Sequence, residues 1–223
     1  MVSLILVRHG QSVANEENIY TGWTDSPLTP KGENQAKIAG QLLSNSFHDQ
    51  IAEYHTSLLS RAIKTSYIIQ EELDDLAKPL TKSWRLNERH YGALRGLNKD
   101  YTREKYGKHE VALWRRSYKK RPPLLGRPDE TEKMYKYLDI KSMPVGESLE
   151  DATKRLIPYF QDVIAPRLLD QKNQMIVAHG STIRALIKYI EDISDEDIDG
   201  VEVDNAQPII YEFDDKLKLI DRK

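Results

Sequence analysis

The chain has 223 residues, enough to bury a full core, and its formal charge of −2 supplies no global pull toward nucleic acid or an anionic membrane. Its 39% hydrophobic and 30% charged residues are ordinary for a globular protein. Cysteine is absent, which excludes disulfides, thiol catalysis and cysteine-ligated metal, and no apolar run approaches the ~18 residues of a membrane span. With no basic and apolar leader pattern before the first strand, the expected setting is cytoplasmic.

Leu4-Ile5-Leu6-Val7 reads as a short strand buried on both faces, and it delivers Arg8-His9-Gly10 without a spacer. Burying arginine beside histidine is costly unless both are paired. The carboxyl end of a buried strand, however, is where open α/β sheets place a ligand crevice. Arginine offers a fork for phosphate or carboxylate, and histidine a nitrogen able to act as nucleophile or base. Gly10 allows close backbone approach to an anion. A solvated Arg-His pair at an ordinary strand end is the bland alternative.

Asn15 to Asp25 reads as a polar surface loop. A helix is expected after Thr29 as N-cap, with Pro30 at its first position and Ala36, Ala39, Leu42 and Leu43 on one face. A short strand near Ile51–Thr56 follows, then a helix from about Ser57 to Leu73 with Leu59, Ala62, Ile63 and Ile69 facing inward. Arg61 in its first turns works against the helix dipole, which a bound anion explains better than helix stability does. From Lys78 to about Gly146 periodicity is weak, and an irregular insertion is expected, most basic from Trp114 to Pro123. Such a segment suits a lid or binding insertion, with a nucleic-acid face as the rival use.

Leu149, Ala152, Leu156, Tyr159, Phe160, Val163 and Ile164 form a helical stripe that Pro158 and Pro166 should kink or divide. Met175–Ala178 is a second apolar strand, ends on His179-Gly180, and leads into a helix carrying Ile183, Leu186, Ile187 and Ile190. Pro208–Phe213 reads as the last strand. No internal repeat or linker is evident, so one domain spanning 1–223 is expected, with the insertion at about 78–146.

Two apolar strands that each end in His-Gly predict parallel neighbours with both imidazoles over one crevice. Arg8 and Arg61 then make an anion clamp around two histidines. A metal is the competing use of paired histidines. Clustered arginines would repel a cation, so no metal is expected, and a phosphoryl group fits better.

Leu6–Ser12, Tyr20–Trp23, Leu28–Gly32, Thr56-Ser57 through Arg61-Ala62, Leu86–Gly92, Gly96–Lys99, Trp114–Arg116, Pro122-Pro123, Glu147–Leu149 and Ala178–Gly180 together resemble the cofactor-dependent phosphoglycerate mutases of the histidine phosphatase superfamily. Arg-His-Gly alone indicates the superfamily, whereas Asn87–Gly92 followed by Gly96–Lys99 is specific to the mutase-like branch. The resemblance implies an α/β, three-layer fold, with a mostly parallel sheet flanked by helices on both faces. It implies interconversion of 2- and 3-phosphoglycerate, primed by 2,3-bisphosphoglycerate, as well as assembly into a homo-dimer or tetramer. His9 would carry the phosphoryl group, with Arg8, Arg61 and His179 clamping its oxygens, and Asn15, Gly180 and Ser181 adding donors. Glu88 would be the general acid/base. Lys99, Arg115, Arg116, Arg89 and Tyr91 would hold the substrate's other anionic groups, with Ser12, Thr21 and Gly22 also at the substrate. His90 would support the site, while His48, His55 and His109 match nothing catalytic.

Three departures stand out. Ser181 occupies a position where the mutases usually have asparagine, and Asp204–Pro208 replaces the usual Thr-Gly turn. The chain also ends soon after its last expected strand, where many family members carry a mobile tail. Readier access of water to phosphorylated His9 is the corresponding expectation, which keeps a bisphosphoglycerate or broad-specificity histidine phosphatase as the alternative.

Overall fold

The computed structural model describes residues 1–128 and 133–223; the part of the expected insertion at 129–132 lies outside them. In chain order the elements are β1 (Val2–Arg8), α1 (Val13–Glu16), α2 (Pro30–Phe47), β2 (Ile51–Thr56), α3 (Ser60–Glu72) and β3 (Leu80–Lys82). Then come α4 (Lys99–Tyr106), α5 (Lys108–Arg116), α6 (Leu149–Tyr159), α7 (Ala165–Leu169), β4 (Asn173–Ala178), α8 (Gly180–Glu191), β5 (Pro208–Phe213) and β6 (Leu219–Arg222). The strands form one sheet in the order β3-β2-β4-β1-β5-β6. Its first four strands are mutually parallel, and β5 and β6 add two antiparallel pairings.

The unbroken apolar run in β1 follows from burial on both faces. Leu4 and Leu6 pack with Leu149, Leu156 and Leu186 from α6 and α8, while Ile5 and Val7 pack with Leu43, Phe47 and Ile69 from α2 and α3. That alternation makes three layers, helices on either side of the sheet, as expected. Thr29 caps α2 by accepting from the Gly32 amide, with Pro30 in the first turn. Pro158 lacks the amide that would continue the ladder, and a π-helical turn at Phe160–Ile164 separates α6 from α7, where Pro166 sits in the first turn.

Four expectations are corrected. The segment at 78–146 is more regular than its weak periodicity indicates, because it holds β3, α4 and α5. Asn98 caps α4, and Val111 and Trp114 of α5 pack on Tyr20 and Leu94. Two short helices with so few apolar residues leave little stripe to read. β3 and β6, three and four residues long, lie at the sheet edges, so Pro208–Phe213 is not the last strand. Helix α3 begins at Ser60 rather than Ser57, because Asp25 from a distant loop accepts from the Ser60 amide and hydroxyl and serves as its cap. Gly10, expected to approach an anion, instead approaches α2: a Cβ on it would lie 2.1 Å from the Gly32 carbonyl oxygen. Gly32 is equally constrained, since its Cβ would lie 2.0 Å from the Gln11 carbonyl oxygen.

Candidate active site

The parallel register pairs Arg8 with Ala178, so the next residue of each strand is a histidine. The His9 amide donates to the Ala178 carbonyl at 3.0 Å and locks the two strand ends together. The imidazoles consequently meet edge to face, with centroids 5.0 Å apart and planes at 60°. His9 is 3% exposed and His179 is fully buried. Burial, reinforced by the Arg61 and Arg8 guanidiniums, holds His9 well below the usual histidine pKa, against a smaller opposing pull from its bond to Gly10. Burial and Arg61 lower His179 in the same way. Both rings are therefore neutral near pH 7. His9 Nδ1 lies 2.6 Å from the Gly10 carbonyl, an acceptor that places the ring proton on Nδ1 and leaves Nε2 as a free lone pair.

One cleft is lined by Arg8, His9, Asn15, Thr21, Gly22, Arg61, Glu88, Tyr91, Lys99, Arg115, Arg116, Gly180 and Ser181, all of them expected at the site. Arg61, 1% exposed, is held by the Thr24 and Gly22 carbonyls at 3.0 and 2.9 Å. Arg8 donates to the Val203 carbonyl at 2.8 Å, while its Nε is buried without a partner among the described residues. Burial beside the Arg115 and Arg8 charges lowers Lys99 to about 8. Neither Lys99 nor Arg115 forms an ion pair among the described residues. An unbalanced positive wall of this kind suits a small polyanion.

Three expected residues do not line the cleft: Ser12, Arg89 and His179, the last of which lies against the His9 ring. Ser12, fully buried, caps α1 in a reciprocal capping box with Asn15, and so positions that asparagine. Arg89, also fully buried, donates to the Trp114 and Arg115 carbonyls at the end of α5. Ser181 has its amide engaged by Glu88 Oε1 at 3.2 Å, so this donor is not free for an incoming group. Arg116 is partly neutralised by Asp199 and Glu202.

Sequence reasoning missed Arg184, a buried cation at the cleft whose guanidinium donates to the Arg116 and Ile198 carbonyls at 3.0 and 2.7 Å. Its burial lowers it to about 10. Arg184 and Arg89 together satisfy the terminal carbonyls of α5 and so orient Arg115 and Arg116. An arginine inside the otherwise apolar stripe of α8 was the available signal. Asn205 was also missed; it donates to the His9 carbonyl at 2.7 Å, giving the departing Asp204–Pro208 turn a structural task.

Glu88 is held from behind by a buried ion pair. Arg155 and Glu147, with side chains 8% and 6% exposed, meet at 2.7 Å. Arg155 also donates to the Asn87 and Glu88 carbonyls at 3.0 and 2.9 Å. Removing one partner strands a buried charge, so Arg155→Met is expected to cost about 3 kcal/mol of unfolding free energy in urea denaturation. Arg121→Met, which breaks a more exposed pair with Asp151, is expected to cost under about 1 kcal/mol in the same assay.

The basic tract after α5 is countered charge by charge: Lys119 pairs with Asp195 at 2.9 Å, Lys120 with Glu110 at 3.1 Å and Arg121 with Asp151 at 2.6 Å. Paired in this way it offers no clear phosphate-tracking face. His90 is buried outside the cleft lining and accepts from the Gly92 amide at 2.9 Å, and His55 is buried between Tyr159 and Gln174. Among the described residues no group of three or more His, Cys, Asp or Glu is placed to hold a metal, and no helix is long and apolar enough to cross a membrane.

Comparison with known proteins agrees with this geometry. The histidine phosphatase superfamily (branch 1) profile matches residues 4–222. A 2,3-bisphosphoglycerate-dependent phosphoglycerate mutase 1 from Latilactobacillus sakei is 57% identical over 220 residues, covering 99% of this chain and 93% of that one. The 2,3-bisphosphoglycerate-dependent phosphoglycerate mutase of Staphylococcus saprophyticus is 49% identical, across 100% of this chain and 99% of its own. Among solved structures, Bacillus stearothermophilus YhfR superposes with a TM-score of 0.75 at 23% identity, covering 99% of this chain and 95% of that one, a likeness of fold. By sequence along its whole length, this chain belongs to the histidine phosphatase superfamily, among its 2,3-bisphosphoglycerate-dependent phosphoglycerate mutases.

Proposed function

We propose that the chain, acting as one mutase-like domain, interconverts 2- and 3-phosphoglycerate through a phosphohistidine on His9. The observation that carries this reading is the free Nε2 lone pair of His9, set by the Gly10 carbonyl in a buried, positively lined hollow that also holds Glu88. The Nε2 lone pair forms a bond to phosphorus as the ester P–O bond breaks, and the leaving oxygen takes a proton from the Glu88 carboxyl. In the reverse half, Glu88 removes the proton from the accepting hydroxyl, which attacks phosphorus as the N–P bond breaks. Arg8, Arg61 and His179 would hold the charge on the phosphoryl oxygens. Lys99 and Arg115 would hold the substrate's remaining anionic groups, supported by Tyr91, Arg116, Thr21 and Gly22 on the same wall.

The buried Arg8 Nε, without a partner among the described residues, and Lys99 and Arg115, without an ion pair among them, fit a doubly phosphorylated primer. When bound, 2,3-bisphosphoglycerate supplies the phosphoryl group that loads His9. Phosphorus NMR of purified protein with 3-phosphoglycerate tests the reading. Growth of the 2-phosphoglycerate signal, faster with added 2,3-bisphosphoglycerate, is expected. Release of inorganic phosphate without isomerisation would reject the mutase assignment in favour of a phosphatase.

A further inference from the structure

The reaction asks opposite things of the two neutral imidazoles. His9 must offer a lone pair, whereas His179 can stabilise a phosphoryl oxygen only by presenting an N–H. The proton on His9 is fixed by Gly10, and the structure holds a corresponding device for His179. His179 Nε2 lies 2.8 Å from the Ser57 hydroxyl oxygen, in the turn between β2 and α3. Its Nδ1 is buried without a partner among the described residues.

The direction of the Ser57 bond follows from what else that hydroxyl touches. Ser57 is fully buried, and its oxygen already accepts from the Leu59 amide at 3.1 Å. Its single proton has one acceptor within bonding distance among the described residues, His179 Nε2. With Ser57 as donor the serine proton is used, and the one unmatched proton of the pair sits on the His179 ring, at Nδ1. The opposite tautomer would move the unmatched proton onto the fully buried serine hydroxyl, and would leave the His179 ring with no N–H to offer at Nδ1.

We propose that Ser57 is a positioning residue that fixes His179 as the Nδ1–H tautomer, so that this ring donates to the transferring phosphoryl group. The catalytic half rests on the phosphohistidine reading given above, whereas the tautomer is a property of the free protein.

Side-chain nitrogen–proton NMR of uniformly 15N-labelled protein, with His179 assigned by comparison with a His179→Gln sample, reads the tautomer directly. Wild type is expected to show a protonated Nδ1 and an unprotonated Nε2 on His179. Ser57→Ala is expected to yield a mixture of tautomers and to lower kcat about 10- to 100-fold, with KM within about twofold. Ser57→Thr, which keeps the hydroxyl, is expected to restore both. A protonated Nε2 in wild type would overturn the proposal without recourse to any variant. So would Ser57→Ala retaining either the wild-type tautomer or the wild-type kcat. Failure of the phosphohistidine reading would show separately, as absence of transfer by the wild-type protein.

Discussion

Replacing His9 by asparagine is expected to abolish phosphoryl transfer while leaving anion binding in place. The loss in kcat should be on the order of 10⁴-fold or more, because the covalent route disappears with its nucleophile. Substitutes within the cleft are poor. Lys99, at about 8, is mostly protonated at neutral pH, and the Nε2 of His179 is occupied by Ser57. Arg8 and Arg61 take their fixed positions from the Val203, Thr24 and Gly22 carbonyls, so the clamp does not depend on the His9 ring. Calorimetric titration with 3-phosphoglycerate should therefore give an affinity within a few-fold of wild type. Rapid quenching after exposure to radiolabelled 2,3-bisphosphoglycerate should leave acid-labile label on wild type and none on the variant. Label of equal yield on the variant would place the phosphoryl group on another residue.

The chemistry of this site was legible because strand register carries it. Two apolar strands ending in the same dipeptide, paired in parallel with Arg8 against Ala178, leave His9 and His179 little choice but to meet. Arg61 was legible for the opposite reason, since its charge at a helix start is a local contradiction that only the site resolves. What stayed hidden depends on backbone carbonyls and distant loops. Arg89 reads as a substrate ligand but serves as a clasp on the end of α5, because the carbonyls it meets carry no sequence signature. The start of α3 was misplaced since its cap, Asp25, comes from another part of the chain. The short α4 and α5 bury only a few apolar side chains, so hydrophobic spacing cannot announce them. Gly10 shows a further ambiguity: glycine marks close approach, but whether to a ligand or to another glycine appears only in three dimensions.

Acid should destabilise the fold well before its carboxylates titrate. Four histidines, His9, His55, His90 and His179, are 3% exposed or less. Burial is the leading cause that lowers each of them from the ordinary value near 6.5, and it brings His90 to about 4. Below pH 6.5 the unfolded chain takes up protons that the folded chain refuses, so stability is full above that value and falls as pH drops through it. At pH 5.5 a ring that refuses its proton in the folded state costs on the order of 1 kcal/mol. That cost applies in full to His9, His90 and His179 and in part to His55, which Gln174 and Glu53 pull back toward protonation. The four together then amount to roughly 3–4 kcal/mol, a large part of the 5–15 kcal/mol typical of folded proteins. For a chain of this size the melting temperature is expected to fall by about 6–15 °C between pH 7.5 and 5.5, measured by calorimetry in phosphate-free buffer. His55 separates this effect from the catalytic centre, because its partners Tyr159 and Gln174 lie outside the cleft. His55→Gln should remove a measurable part of the pH dependence with turnover retained. A melting temperature that moved by less than about 3 °C would mean that these rings accept protons in the folded state, and the neutral pair on which transfer depends would be lost with that result.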